Sequence, residues 1–289
     1  MHSYTPPFFK ISLAQWSLHN TIAVGGLPVL DFAKKARALN FDAVEYVSRF
    51  YTKEALDPVA FGKLIRELKT RSSHEGIQNL LIMVDGEGAL ASADKTLRDA
   101  AVNNHKKWVD AAAALGCHSV RINILGGPEA NADAWVTSSA EGLTALCSYA
   151  VHSGLNILVE NHGGLSSNGT LLAEVMRAVN LPNCGTLPDF GNFCISRKNN
   201  EKWPSPCIEE YDRYNGVTEM MPFAKGVSAK SFDFDVEGYE TTIDYPRMLQ
   251  IIKDSGYTGH IGIEYEGQRL NEVEGVVKTR ELLLEGGRE

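Results

Sequence analysis

The stretch Leu155-Asn156-Ile157-Leu158-Val159-Glu160-Asn161-His162-Gly163-Gly164 decides the fold. A short apolar, β-branched run ends on a carboxylate and opens directly into a glycine turn. A strand of a parallel sheet is covered on both faces and should be almost wholly apolar, so a charge at its C-terminal end has to be accounted for. The same signature recurs in Leu187-Pro188-Asp189-Phe190-Gly191-Asn192 and in Ile263-Glu264-Tyr265-Glu266-Gly267. Three strand-end acids before three glycine-containing turns point to several parallel strands whose C-terminal ends converge.

Working outward, short apolar segments alternate with stretches of helical periodicity along the whole chain. The expected strands are Ile11–Trp16, Phe41–Val47, Ile77–Met83, Ser119–Ile124, Leu155–Glu160, Gly185–Asp189, Gly226–Lys230 and His260–Tyr265. Between them lie expected helices over Pro28–Leu39, Pro58–Thr70, Leu97–Leu115, Trp135–Ser153, Leu171–Val179, Ile208–Met221, Ile243–Ser255 and Glu272–Leu284. Gly116, Gly154 and Gly256 each stand where a left-handed turn can end a helix and start the next strand. Eight βα repeats without a break in composition predict an α/β fold, a single (β/α)₈ TIM-barrel domain over residues 1–289. An open doubly wound sheet is the structural alternative, but no Gly-x-Gly-x-x-Gly phosphate loop follows the first strand.

Composition bounds the partners. Asp and Glu number 36 against 28 Lys and Arg, a net charge of −8, and no basic run carries interleaved aromatics. A polyanion is repelled by such a chain, so nucleic acid is not an expected partner. No run of about 18 apolar residues occurs, which excludes a membrane-spanning helix of ordinary length. Cys117, Cys147, Cys184, Cys194 and Cys207 are odd in number, widely spaced and without a CxxC pair, and they read as free thiols. Free thiols fit a cytoplasmic protein. The opening residues Met1 to Lys10 carry no signal-like apolar segment; a periplasmic location would require a leader removed from the sequence. A homo-oligomer is compatible with this composition.

Three carboxylates at one barrel mouth cannot all stay ionised without compensation. A divalent cation is the simplest compensation, and oxygen donors favour Mn²⁺ or Mg²⁺, with Co²⁺ or Zn²⁺ open if a histidine joins. Each acid alone could instead cap a helix or pair with a nearby Arg or Lys.

On Val159-Glu160-Asn161, Pro188-Asp189-Phe190-Gly191-Asn192 and Ile263-Glu264-Tyr265, the chain resembles the xylose-isomerase-like, or sugar phosphate isomerase/epimerase, barrel superfamily. The resemblance spans nearly the whole chain. It implies that Glu160, Asp189 and Glu264 bind the metal and that the two glutamates also move protons. Many members carry a metal-binding His in a His-x-Lys arrangement on the seventh strand, whereas this chain reads Val227-Ser228-Ala229-Lys230. Ser228 replaces that His, so the fourth protein position falls to water or to His162, which shares the strand parity of Glu160.

Further polar residues gather at the same end. Lys230 on a buried strand needs an acid or an anionic substrate group as partner. Arg121 and Asn123 alternate on the fourth strand and could hold hydroxyls or form an internal salt bridge. Glu45 either faces substrate or pairs with Arg49 or Lys230. Trp16 could wall one side of a sugar ring, with His19 beside it. His74, His105 and Trp108 fall on the rear face or a helix and are left outside the site. The resulting expectation is a metal-dependent isomerase or epimerase of a ketose, sugar phosphate or related polyol, acting through an enediolate. A keto-inositol-type dehydratase and a non-catalytic sugar-binding barrel are the alternatives.

Overall fold

A computed structural model describes residues 6–125, 131–198 and 205–288. Eight parallel strands form the wall: β1 (Lys10–Ala14), β2 (Ala43–Val47), β3 (Gln78–Val84), β4 (Ser119–Ile122), β5 (Asn156–Glu160), β6 (Cys184–Leu187), β9 (Val227–Ser231) and β10 (His260–Tyr265). They run in the order β6-β5-β4-β3-β2-β1-β10-β9. The ring is completed between β6 and β9 by single bridges, Thr186 to Ala224 and Asp189 to Ser228. Ser228 N donates to Pro188 O at 2.9 Å and Phe190 N to Ser228 O at 3.1 Å, so the seam is hydrogen-bonded where the acid of β6 stands. This is a TIM barrel.

The helices are α1 (His19–Ala23), α2 (Phe32–Ala38), α3 (Pro58–His74), α4 (Lys95–Leu115), α5 (Ala132–Ala150), α6 (Gly169–Val179), α7 (Arg213–Met220), α8 (Tyr245–Asp254) and α9 (Glu272–Gly286). Most of their N-termini carry an Asp or Asn whose side chain accepts from the first turn, as Asp57, Asp94, Asn168, Asp212 and Asp244 do. Asn271 and Glu274 close a reciprocal capping box on α9. None of the helices among the described residues is long and apolar enough to cross a membrane.

Two apolar clusters follow from strand alternation. The larger lies between the strands and the outer helices, with Leu13, Val44, Ile82, Ile122, Ile157 and Ile263 turned outward. The smaller fills the barrel interior with Ala14, Ala43, Val47, Leu81, Met83, Leu158 and Leu187. Residues two positions beyond these plugs share their inward face, which carries Leu158 to Glu160 and Leu187 to Asp189. The plug therefore forms the floor of the polar mouth.

Two expectations are corrected. The segment from Ile208 to Met221 is not one helix: β8 (Cys207–Glu210) pairs antiparallel with β7 (Cys194–Arg197), and α7 starts only at Arg213. This hairpin rises from the loop after β6, on the mouth side. Cys194 and Cys207 are joined by a disulfide, so only Cys117, Cys147 and Cys184 are free thiols. The premise from which a reducing compartment followed is thereby removed.

Candidate active site

Glu160, Asp189 and Glu264 project from the ends of β5, β6 and β10, and each offers a carboxylate oxygen within 4.8 Å of the others. All three are buried. Asp189 is the most rigidly held. Its Oδ1 accepts from the backbone N–H groups of Gly191 at 2.8 Å and Asn192 at 2.9 Å, and its own N–H donates to Asn161 Oδ1 at 2.7 Å. Here the Pro188-Asp189-Phe190-Gly191-Asn192 sequence has a local purpose, because the turn after β6 wraps its N–H groups around the acid. Gly191 is needed there, since a Cβ would sit 2.6 Å from Lys230 Cγ.

Two cations lie among the acids. Lys230 Nζ lies 3.1 Å from Glu264 Oε1, 3.0 Å from Glu266 Oε2 and 3.8 Å from Asp189 Oδ2. Burial alone would lower its pKa, but Asp189, Glu264 and Glu266 outweigh burial and hold the ammonium charged. Arg121 Nε lies 2.8 Å from Glu160 Oε2, and its Nη1 donates to Asp85 Oδ1 at 2.8 Å. The first contact is close enough for an ion pair but misaligned for a hydrogen bond, so both buried atoms lack a hydrogen-bond partner. Asn192 Nδ2 donates to the other Glu160 oxygen at 3.2 Å.

Burial pushes the Glu160 carboxyl up to about 7, with Arg121 opposing and Glu264 adding to the rise. The two members of this pair thus move differently: Arg121 is held fully charged by Glu160 and Asp85, while Glu160 also faces another acid. The geometry supports a charged Arg121 beside a Glu160 able to take a proton. Asp189 likewise stands near 7 through burial, with Lys230 opposing.

The remaining expected residues are distributed as follows. Glu45 pairs with neither Arg49 nor Lys230; its Oε1 accepts from Ser12 Oγ at 2.7 Å, its Oε2 has no partner, and burial raises its pKa to about 7. Asn123 joins Arg121 on Asp85, with Nδ2 donating at 2.7 Å. Trp16 donates through Nε1 to Glu266 and stacks on His19 at 4.5 Å between centroids. Arg49 lies 5.6 Å over the Trp16 ring. His162 is not part of the carboxylate cluster among the described residues. Its side chain is exposed at the mouth, yet crowding by surrounding protein and then the nearby Arg121 lower its pKa.

Two residues missed from sequence belong to this constellation. Asp85 follows Ile82-Met83-Val84 and precedes Gly86, the same apolar-run, acid, glycine signature as the other three. Glu266 stands two residues after Glu264 and therefore on the same face. His105, set aside from sequence, is buried with Nδ1 2.7 Å from Ala101 O.

Residues 33–285 match the family model described as the xylose isomerase-like TIM barrel. The chain belongs to that family. No curated protein sequence matches it significantly. Among solved structures, this family member is similar to 3-keto-D-glucoside 4-epimerase YcjR from E. coli, with a TM-score of 0.69 at 13% identity, covering 95% of this chain and 98% of that one. It is similar to an L-ribulose 3-epimerase, with a TM-score of 0.70 at 16% identity over 97% and 96% of the two chains. The IolI protein, solved with a zinc atom bound, gives a TM-score of 0.66 at 15% identity over 96% and 98%. At these identities the likeness shows the shared fold.

The donor set of this xylose isomerase-like barrel fits a divalent ion. Three carboxylates converge, Glu160 Oε2 is buried without a hydrogen bond, and burial pushes Glu160 and Asp189 toward neutrality. The set is all oxygen, because Ser228 brings a hydroxyl where an imidazole could have stood.

Proposed function

We propose that this barrel is a divalent-metal-dependent isomerase or epimerase acting on a ketose or related polyol. The observation that carries the proposal is the convergence of Glu160, Asp189 and Glu264 within 4.8 Å at the barrel mouth. These three residues would hold the ion, for which their oxygen donors favour Mn²⁺ or Mg²⁺. When bound, the ion supplies Lewis acidity to a substrate carbonyl and so acidifies the neighbouring carbon.

The chain's own groups supply the proton transfers. Asp189, fixed by two backbone N–H groups, is an anchor rather than a proton carrier. Glu160 and Glu264 enter from β5 and β10, separated around the ring by β6 and β9. One removes a carbon-bound proton and the other returns one, the division of labour of a general base and a general acid. Return to the opposite face inverts a stereocentre; return to the adjacent carbon moves the carbonyl. Lys230 places a fixed positive charge beside Glu264, where negative charge develops on the substrate oxygens.

The test is deuterium incorporation from heavy water into ketoses and keto-inositols by manganese-loaded protein. Incorporation that disappears in Glu160→Gln supports the reading. A fully loaded protein that exchanges none of them removes proton-transfer chemistry.

A further inference from the structure

We infer that the mouth is built for an uncharged polyhydroxylated substrate and rejects its phosphate esters. The inference rests on the proposed function for the location of the substrate, but it concerns the charge order from solvent inward. The two cations, Arg121 and Lys230, have side chains only 3% and 2% exposed. In front of them stand Asp85 and Glu266, whose side chains are 30% and 29% exposed. An arriving ligand therefore meets carboxylates first, with both ammonium and guanidinium groups sealed behind and already engaged.

Each outer acid is paired with the cation behind it, Asp85 Oδ1 with Arg121 Nη1 at 2.8 Å and Glu266 Oε2 with Lys230 Nζ at 3.0 Å. A dianionic phosphate approaching either would face like charge across a partly desolvated rim, where screening is weak. A hydroxyl meets the opposite situation. Asp85 Oδ1 gathers Arg121 and Asn123, leaving Oδ2 to accept from a sugar hydroxyl, with the half-buried Asn123 amide beside it. Glu266 is likewise tied to Trp16 and Lys230 by the same oxygens that would border a sugar lying on the indole. Arg49 is an exposed cation at the rim, with its guanidinium 5.6 Å from the centre of the Trp16 ring, and there it is outnumbered by Asp85 and Glu266.

The test compares D-fructose, D-psicose and L-ribulose with D-fructose 6-phosphate and inorganic phosphate, by calorimetry and by solvent deuterium exchange with the metal-loaded protein. The expected result is that at least one free ketose binds and that the phosphate ester binds at least tenfold more weakly than its parent. Asp85→Asn and Glu266→Gln, each made alone, should narrow that gap at least threefold, because each removes one rim charge and keeps its shape. An ester that binds as tightly as the free sugar, or a protein that binds none of the free ketoses, overturns the inference. Binding of a free ketose without deuterium exchange separates the two proposals: the substrate class stands and the proton-transfer reading falls.

Discussion

Ser228 Oγ lies 2.6 Å from Asp189 Oδ2 and 3.0 Å from Glu264 Oε2, so one hydroxyl ties together two of the three converging acids. The bridge between Asp189 and Ser228 also sews β6 to β9, which makes this contact part of the barrel's closure as well as of its site. A neutral hydroxyl adds little to metal affinity, whereas an imidazole at the same place would add a borderline nitrogen donor. Ser228→His is therefore expected to raise affinity for Zn²⁺ or Co²⁺ at least tenfold while changing that for Mg²⁺ much less. Calorimetry on protein stripped with chelator measures both. Equal gains for all three ions would contradict an all-oxygen native site.

The buried acids make a second prediction, in the absence of added metal. Glu45, Glu160 and Asp189 have pKa values raised to about 7, chiefly by burial. A carboxyl whose folded pKa lies above its unfolded value binds more protons when folded, so its contribution to stability is present below the unfolded pKa, near 4, and is lost as pH rises through about 7. Because burial depresses the pKa of His105, His118, His162 and His260, which act in the opposite sense below about pH 6.5, the carboxyl contribution is read as a difference: the metal-free protein should lose stability from pH 5 to pH 8 relative to Glu160→Gln in urea unfolding. Added Mn²⁺ should restore stability mainly at the upper end, where the carboxylates are ionised to receive it. An identical pH slope in Glu160→Gln and the unsubstituted metal-free protein would show that this acid is compensated in another way.

Much of this was legible in the sequence because burial on both faces makes a polar strand residue conspicuous. Glu160, Asp189, Glu264 and Lys230 each interrupt an apolar run, and the barrel's closure brings all four together. Asp85 carried the same signature in Ile82-Met83-Val84-Asp85-Gly86 and could have been found by applying the same criterion once more. The partner of Glu45 was not legible, since Ser12 lies 33 residues away and its pairing depends on the lateral register of β1 against β2. The hairpin was hidden for another reason. Its strands are short, its β8 is exposed throughout, and neither presents the alternation that a half-buried strand needs.

The disulfide closing that hairpin gives a third prediction. Thiol titration of the unfolded, unreduced protein should find three reactive groups, rising to five after reduction. The cross-link spans 13 positions, for which chain entropy gives about 3 kcal/mol of stabilisation. The hairpin makes its pairings within a loop rather than in the barrel wall, so the loss should be local. Reduction is expected to speed amide exchange within residues 194–198 and 205–210 while leaving the exchange of β1 to β6 nearly unchanged. Five reactive thiols before reduction would remove the cross-link altogether.

Glu45 and Gly262 supply the last prediction. Ser12 is the register partner of Gly262 across β1 and β10, and the Glu45 carboxylate fills the space that a side chain on Gly262 would need. A Cβ there would lie 2.7 Å from Glu45 Cδ, closer than real methyl contacts allow. The backbone at Gly262 has no positive φ, so the glycine is required by this close approach and not by conformation. Gly262→Ala should destabilise the protein by about 1–3 kcal/mol through overpacking. In a Glu45→Ala background the obstruction is gone, and the same substitution should become neutral or slightly stabilising, because alanine restricts the unfolded chain more than glycine does. The difference between the two measurements is the coupling of the pair in a double-mutant cycle. A cost at Gly262 that is unchanged when Glu45 is removed would mean that the carboxylate does not occupy the barrel interior at that level.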